Sequence, residues 1–130
     1  MAQYMLLIHS PAEGGPGPDE LAAEMPRWFG YTEELRQSGA FVAGEAFEPA
    51  AAARSVRVRD GERKTASGPV SAAPDVLGGF YLIDVADLAA AEDWAARMPN
   101  AHYGVTEVRP VMVFPGAEPA TASAASGATA

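Results

Sequence analysis

Apolar positions in this chain fall into short runs that alternate with stripes at helical spacing. "YMLLIH", Tyr4 to His9, has the length and composition of a strand buried on both faces. "SPAEGGPGP", Ser10 to Pro18, follows as a Pro/Gly loop long enough to act as a flap. From Asp19 the spacing turns helical: Leu21, Met25, Trp28, Tyr31 or Thr32, and Leu35 recur at intervals of three and four, and Gly39 supplies the stop. Pro26 interrupts this stripe, either kinking the helix or starting its main segment, and biases Met25 away from helical geometry.

"AFVAGEAF", Ala40 to Phe47, reads as a second strand with Gly44 as a bulge. In "SVRVRDGERKTAS", Val56 and Val58 are expected to face inward and Arg57 and Arg59 outward. Asp60-Gly61 is a strong hairpin turn signal, which makes this segment strands three and four. "GFYLIDV", Gly79 to Val85, is the fifth strand. Asp87 is placed to cap a helix whose buried stripe is Leu88, Ala91, Ala95 and Met98, with Pro99 ending it. "GVTEVRPVMVF", Gly104 to Phe114, is the last strand. Residues 115–130 carry almost no apolar bulk and are expected to form a disordered tail after a single domain spanning 1–114.

This order is two β-α-β halves with an inserted hairpin, which predicts an α+β, ferredoxin-like antiparallel sheet with two helices on one face. The first, fifth and last strands are apolar on both faces, while two helices cover only one. A second copy packing sheet to sheet is the simplest cover, so a homodimer is expected.

Composition narrows the partners. A formal charge of −8 argues against nucleic acid, whose phosphates require clustered positive charge. Arg54, Arg57, Arg59, Arg63 and Lys64 do cluster within eleven positions, either as a solvated face or as a contact for an acidic partner or an anionic ligand. With no cysteine, disulfides and thiolate chemistry are excluded. The N-terminal apolar run has no basic region ahead of it and is shorter than a membrane span, so no membrane association and a cytoplasmic location are expected.

Several side chains could carry chemistry. His9 ends the first strand at the start of the flap, where an imidazole could exchange protons near neutral pH. Glu107 and Arg109 lie two apart on one strand and share a face, as a structural ion pair or as a proton carrier beside an anion-holding guanidinium. Asp84 interrupts an apolar strand, where it either meets the strand end or acts as a buried acid or base. Trp28, Phe29, Tyr31 and Trp94 are core aromatics or the lining of a flat cavity. His102 lies in a loop between the second helix and the last strand. Two histidines without a carboxylate cluster at ligand spacing do not predict a metal site. "GGPGP" lacks a phosphate-loop lysine, and no cofactor is expected.

Taken in order, "YMLLIH", "WFGYTEELRQSGAFVAGEAFEP", "SVRVRDG", "SGPV", "LGGFYLIDV", "AAAEDWAARMP" and "GVTEVRPV" resemble the YCII-related superfamily, in the branch named for an Asp-Gly-Pro-Phe motif. The resemblance implies a dimeric α/β barrel and small-molecule chemistry such as dehydrochlorination in some relatives. The branch motif is replaced here by Ser67-Gly68-Pro69-Val70, so the carboxylate has become a hydroxyl that can bond a turn but cannot act as a carboxylate base. The superfamily's helix-one histidine and helix-two aspartate correspond to the neighbourhoods of Arg27-Trp28 and Met98-Pro99, and that acid-base pair is absent.

Two functional expectations follow. One is a cofactor-independent enzyme promoting cyclisation, isomerisation or elimination on an apolar or aromatic metabolite. In it His9 with Asp84 or Glu107 moves protons, and Trp28, Tyr31, Ser67, His102 and Arg109 hold the substrate. The other is a non-catalytic ligand-sensing or accessory protein that contacts a partner through the basic hairpin.

Overall fold

A computed structural model describes residues 1–116; the expected tail falls almost wholly outside them. The chain folds as β1 (Ala2–Pro11), α1 (Pro18–Ser38), β2 (Phe41–Ala46), a 3-10 turn (Ala50–Ala52), β3 (Arg54–Arg59), β4 (Glu62–Ser67), β5 (Asp75–Val85), α2 (Leu88–Ala96) and β6 (Val105–Pro110). Four strands form an antiparallel sheet in the order β2-β5-β1-β6, and β3 and β4 form a separate hairpin. Placing the two inner strands out of sequence order is the split β-α-β arrangement of a ferredoxin-like α+β fold.

The strand pleat sorts the core. Tyr4 and Leu6 of β1 and Tyr81, Ile83 and Val85 of β5 turn to the helix face, where they meet Tyr31 and Leu35 of α1, Phe41 of β2 and Ala91 of α2. The two helices are tied to one another: the Tyr31 hydroxyl donates to the Trp94 carbonyl at 2.6 Å, and Arg97 pairs with Glu34. Asp87 caps α2 as expected, accepting from the Ala90 backbone N–H at 2.9 Å. Gly39 ends α1 in the left-handed conformation, φ 83°.

Several sequence expectations change. Pro26 lies inside α1 and the helix runs through it. The buried face of that helix carries Glu24, Tyr31 and Leu35, with Trp28 packed beside them, while Leu21 and Met25 stay 45% and 41% exposed. The register shift in β2 falls between Phe41 and Ala43 rather than at Gly44, whose missing Cβ instead makes room for the Tyr81 ring. The last strand ends at Pro110, leaving Met112, Val113 and Phe114 exposed, and within it Val108 packs on the core while Thr106 reaches Met98. Leu88, expected in the α2 stripe, is the first helical residue and is exposed.

Among the described residues neither helix covers the opposite face of the sheet; Phe47 packs on Phe80 there, and the loop of residues 71–75 lies near its His9 end. Met5 and Leu7 of β1 stand opposite Leu82 and Phe80 of β5, and all four are half-buried. Glu107 and Arg109 of β6 border this apolar strip, which is therefore narrower than a last strand apolar on both faces would make it. Val56 and Val58, expected to face inward, are each 60% exposed, because the hairpin they belong to does not join the main sheet.

Candidate functional site

Two concave regions meet at a single buried carboxylate. Glu24 projects from α1 at the spacing that also places Trp28, Tyr31 and Leu35 on the inner face, and only 7% of it is exposed. A carboxylate in such a place needs donors, and two converge on its Oε1: Trp28 Nε1 at 2.7 Å and the Tyr103 hydroxyl at 2.7 Å. Trp28 is itself held by stacking on Tyr81, with centroids 6.4 Å apart and planes 16° from parallel. Burial and the Glu24 carboxylate both push the Tyr103 phenol above its ordinary value, Arg27 opposing them, so Tyr103 remains a protonated donor.

On one side of Glu24 is a mainly apolar cavity of about 180 Å³ between α1 and the ends of β1, β2 and β5. Ile8, Leu21, Met25 and Trp28 supply its apolar lining, and Gly78 and Gly79 its floor. A side chain at Gly79 would place its Cβ 2.8 Å from the Glu45 carbonyl, so the strands approach closely only because this residue has none. Asn100, 1% exposed, also lines the cavity; its Nδ2 donates to the His9 carbonyl at 3.5 Å, and its Oδ1 has no hydrogen-bond partner among the described residues.

On the other side is an open cleft of about 540 Å³, lined by the Gly14–Pro16 part of the expected flap, Arg27 and His102. Glu24 and Tyr103 line both spaces and so form the wall between them.

A third concavity, about 410 Å³, lies against the open face of the sheet. His9 Nε2 is 3.5 Å from Glu107 Oε1, and Arg109 donates to Glu107 Oε2 at 3.2 Å. Ser71, Ala73, Pro74 and Asp75 form the opposite wall, and a hydrogen bond from the Ala12 N–H to the Pro74 carbonyl, 2.8 Å, fastens that loop to the end of β1.

The expected site residues thus separate. His9, Glu107 and Arg109 come together on the open face, as β1–β6 pairing requires. Asp84 lies at the other end of β1, paired with Gln3 and about 20 Å along the strand from His9. Trp28 lines the inner cavity and His102 the outer cleft. Tyr31 is 5% exposed and spends its hydroxyl on Trp94, so it supports the aromatic wall from within the core. Ser67 ends β4 and bonds Arg54; Ser71, four residues later, is the serine that reaches a cleft.

A model of the YCII-related domain matches residues 2–115. The chain belongs to the YCII-related family. It is also 40% identical over 74 residues to an uncharacterised protein of Rhizobium meliloti (strain 1021), a stretch that covers 55% of this chain and 60% of the relative. The chain therefore spans less than two thirds of that relative's length.

Glu24, Tyr103 and Asn100 were not among the expected site residues of this YCII-related chain. Glu24 was legible in part: positions 24, 28, 31 and 35 share one helix face with Trp, Tyr and Leu. Tyr103 and Asn100 carried no local signal, since Tyr103 meets Glu24 across 79 residues and Asn100 meets His9 across 91. Among the described residues, no helix is long and apolar enough to cross a membrane, and no group of three side chains is placed to hold a metal ion.

Proposed function

We propose that this chain binds a small apolar or aromatic metabolite in the cavity behind Trp28 and moves a proton on it without a cofactor. The observation that supports this best is the Glu24 carboxylate, buried at the edge of an apolar cavity with both of its donors on one oxygen. That pinning leaves Oε2 to take a proton from a bound molecule, while the apolar lining orients the molecule and excludes water. Asn100 offers an unmet acceptor to a hydroxyl or amine of the ligand. Arg27 and His102 face any polar extension reaching the outer cleft.

Base-initiated cyclisation, isomerisation and elimination each begin with proton removal of this kind. The chain is further proposed to belong to the branch whose Asp-Gly-Pro-Phe motif is replaced here by Ser67-Gly68-Pro69-Val70, to act in the cytoplasm, and to pair with a second copy through the open face of its sheet. The half-buried strip of Met5, Leu7, Phe80 and Leu82 supports that pairing, because a sheet face of this kind is ordinarily covered.

The His9–Glu107 contact supports a second site for the proton transfer, on the open face beneath the loop of Ser71 to Asp75. One experiment separates the two. Native mass spectrometry of the freshly purified full chain, followed by thermal-shift screening of phenols and small aromatic acids, identifies a ligand to assay. Leu21→Trp, which fills the inner cavity from an exposed helix position, is expected to abolish binding. Glu24→Gln is expected to keep binding and lose at least a hundredfold in turnover. Turnover lost in His9→Ala and Glu107→Gln but kept in Glu24→Gln would move the chemistry to the open face. Binding unchanged by Leu21→Trp would overturn the inner cavity as the ligand site.

A further inference from the structure

The β3–β4 hairpin stands apart from the main sheet. Its six-residue strands pair from Arg54–Ser67 to Arg59–Glu62, and Asp60 and Gly61 turn it with φ of 53° and 78°. Among the described residues, neither strand packs substantially against a helix or a third strand. A two-stranded hairpin standing alone is marginally stable in water, so a hairpin held this far from its own core needs another surface. The pleat gives it two distinct faces. Val56 and Val58 share one with Thr65 and Arg63, their cross-strand neighbours, and both valines are 60% exposed. Arg57, Arg59 and Lys64 lie on the other, with Glu62 opposite Arg59.

Charge identifies the surface. Between Arg54 and Ser67 there are five basic and two acidic residues, a net of +3. The whole chain carries −8, so the rest of it carries −11. A basic arm on a chain whose remainder is acidic is complementary in charge to that remainder on another copy. A second copy of this chain offers such a surface, and two-fold symmetry lets each copy both give and receive an arm.

We infer that the β3–β4 hairpin is an intersubunit arm, laying its Val56–Val58 face and its basic side chains on the acidic body of a second copy. This inference rests on the dimer proposed above and adds to it a contact distinct from the open sheet face. It also explains how a chain with few basic residues can place five of them in one unsupported hairpin without losing that hairpin to unfolding.

The chain has no cysteine, so Val58→Cys provides a single labelling point. Full-length chain spin-labelled at position 58 is mixed with unlabelled, isotope-enriched chain. The strongest broadening is expected at amides of the enriched copy's acidic body surface, where an arm crossing between copies would lay the label. In sedimentation equilibrium, Val56→Asp and the reversal Arg57→Glu/Arg59→Glu/Lys64→Glu are each expected to raise the dimer dissociation constant at least tenfold. Each should leave the far-UV circular dichroism of the body unchanged. Raising the salt concentration should weaken the wild-type dimer and have little effect on the charge-reversed one. A wild-type dimer whose dissociation constant is the same in the hairpin variants, or an enriched copy that is not broadened, overturns the arm and leaves the dimer standing. A wild-type monomer at all concentrations overturns both.

Discussion

Tyr81 shows how far a single side chain can constrain its neighbours. Its ring is fully buried, stacked on Trp28 and met edge-on by Tyr31 and Phe41, while its hydroxyl shares a 2.5 Å hydrogen bond with Thr32. A Cβ added at Gly44 would lie 2.7 Å from Cδ1 of that ring, and the ring has nowhere to move. Gly44→Ala is therefore expected to destabilise the fold by about 1–3 kcal/mol, the cost of overpacking a core, read as a lower midpoint in urea unfolding. Because Tyr81 also supports Trp28, the variant should weaken the ligand binding proposed for the inner cavity even though residue 44 is not part of the cavity wall. An unchanged urea midpoint would mean that the core accommodates a methyl group there. From sequence alone Gly44 reads as a bulge, because glycine in a strand marks either irregular backbone or close approach. Only the ring packed over it identifies close approach as the reason.

At the level of the elements, local chemistry accounts for most starts and stops. Asp87 caps α2 from the position its sequence context predicts, and Gly39 and the Asp60-Gly61 turn adopt the positive φ angles that those residues allow. Replacing Asp87 with Ala removes the acceptor for the Ala90 N–H and is expected to cost about 1 kcal/mol in thermal or denaturant unfolding. Asp87→Asn, which keeps an acceptor oxygen, should recover most of the loss. Equal losses in both variants would show that the charge, and not the hydrogen bond, stabilises the helix. Helix faces were less legible than helix ends. Leu21 and Met25 fit the apolar stripe as well as any residues in α1, yet the inner face takes Glu24. Hydrophobic periodicity places a carboxylate outside, because burying one is unfavourable unless donors are waiting. Here the second donor, Tyr103, comes from the turn after α2, which no local window includes.

For the whole molecule, buried phenols give folding a defined dependence on alkaline pH. Burial pushes up Tyr31 and Tyr81, and burial together with Glu24 pushes up Tyr103. In the unfolded chain these groups ionise near the ordinary phenol value, about 10. Below that pH both states are protonated and the contribution to stability is complete. As pH rises above it, the unfolded chain loses protons that the folded chain keeps, so stability falls and continues to fall until the folded values are reached. The expected result is a melting temperature that drops above about pH 10, with phenolate absorbance of these three tyrosines appearing together with loss of circular dichroism. Phenolate appearing near pH 10 in a chain that remains folded would show that the three hydroxyls are not shielded as described.

The strand and helix order, the hairpin turn, the α2 cap and the two-faced apolar character of β1 and β5 were determined by sequence, because each depends on residues within a few positions of one another. Two decisions belong to the tertiary structure. It separates the expected catalytic residues, bringing His9 to Glu107 through β1–β6 pairing while leaving Asp84 at the far end of the sheet. It also assembles the Glu24 site from α1, the turn after α2 and the ends of three strands. Strand register and helix docking set these distances, and both are fixed by how the whole core packs rather than by any segment's own preference.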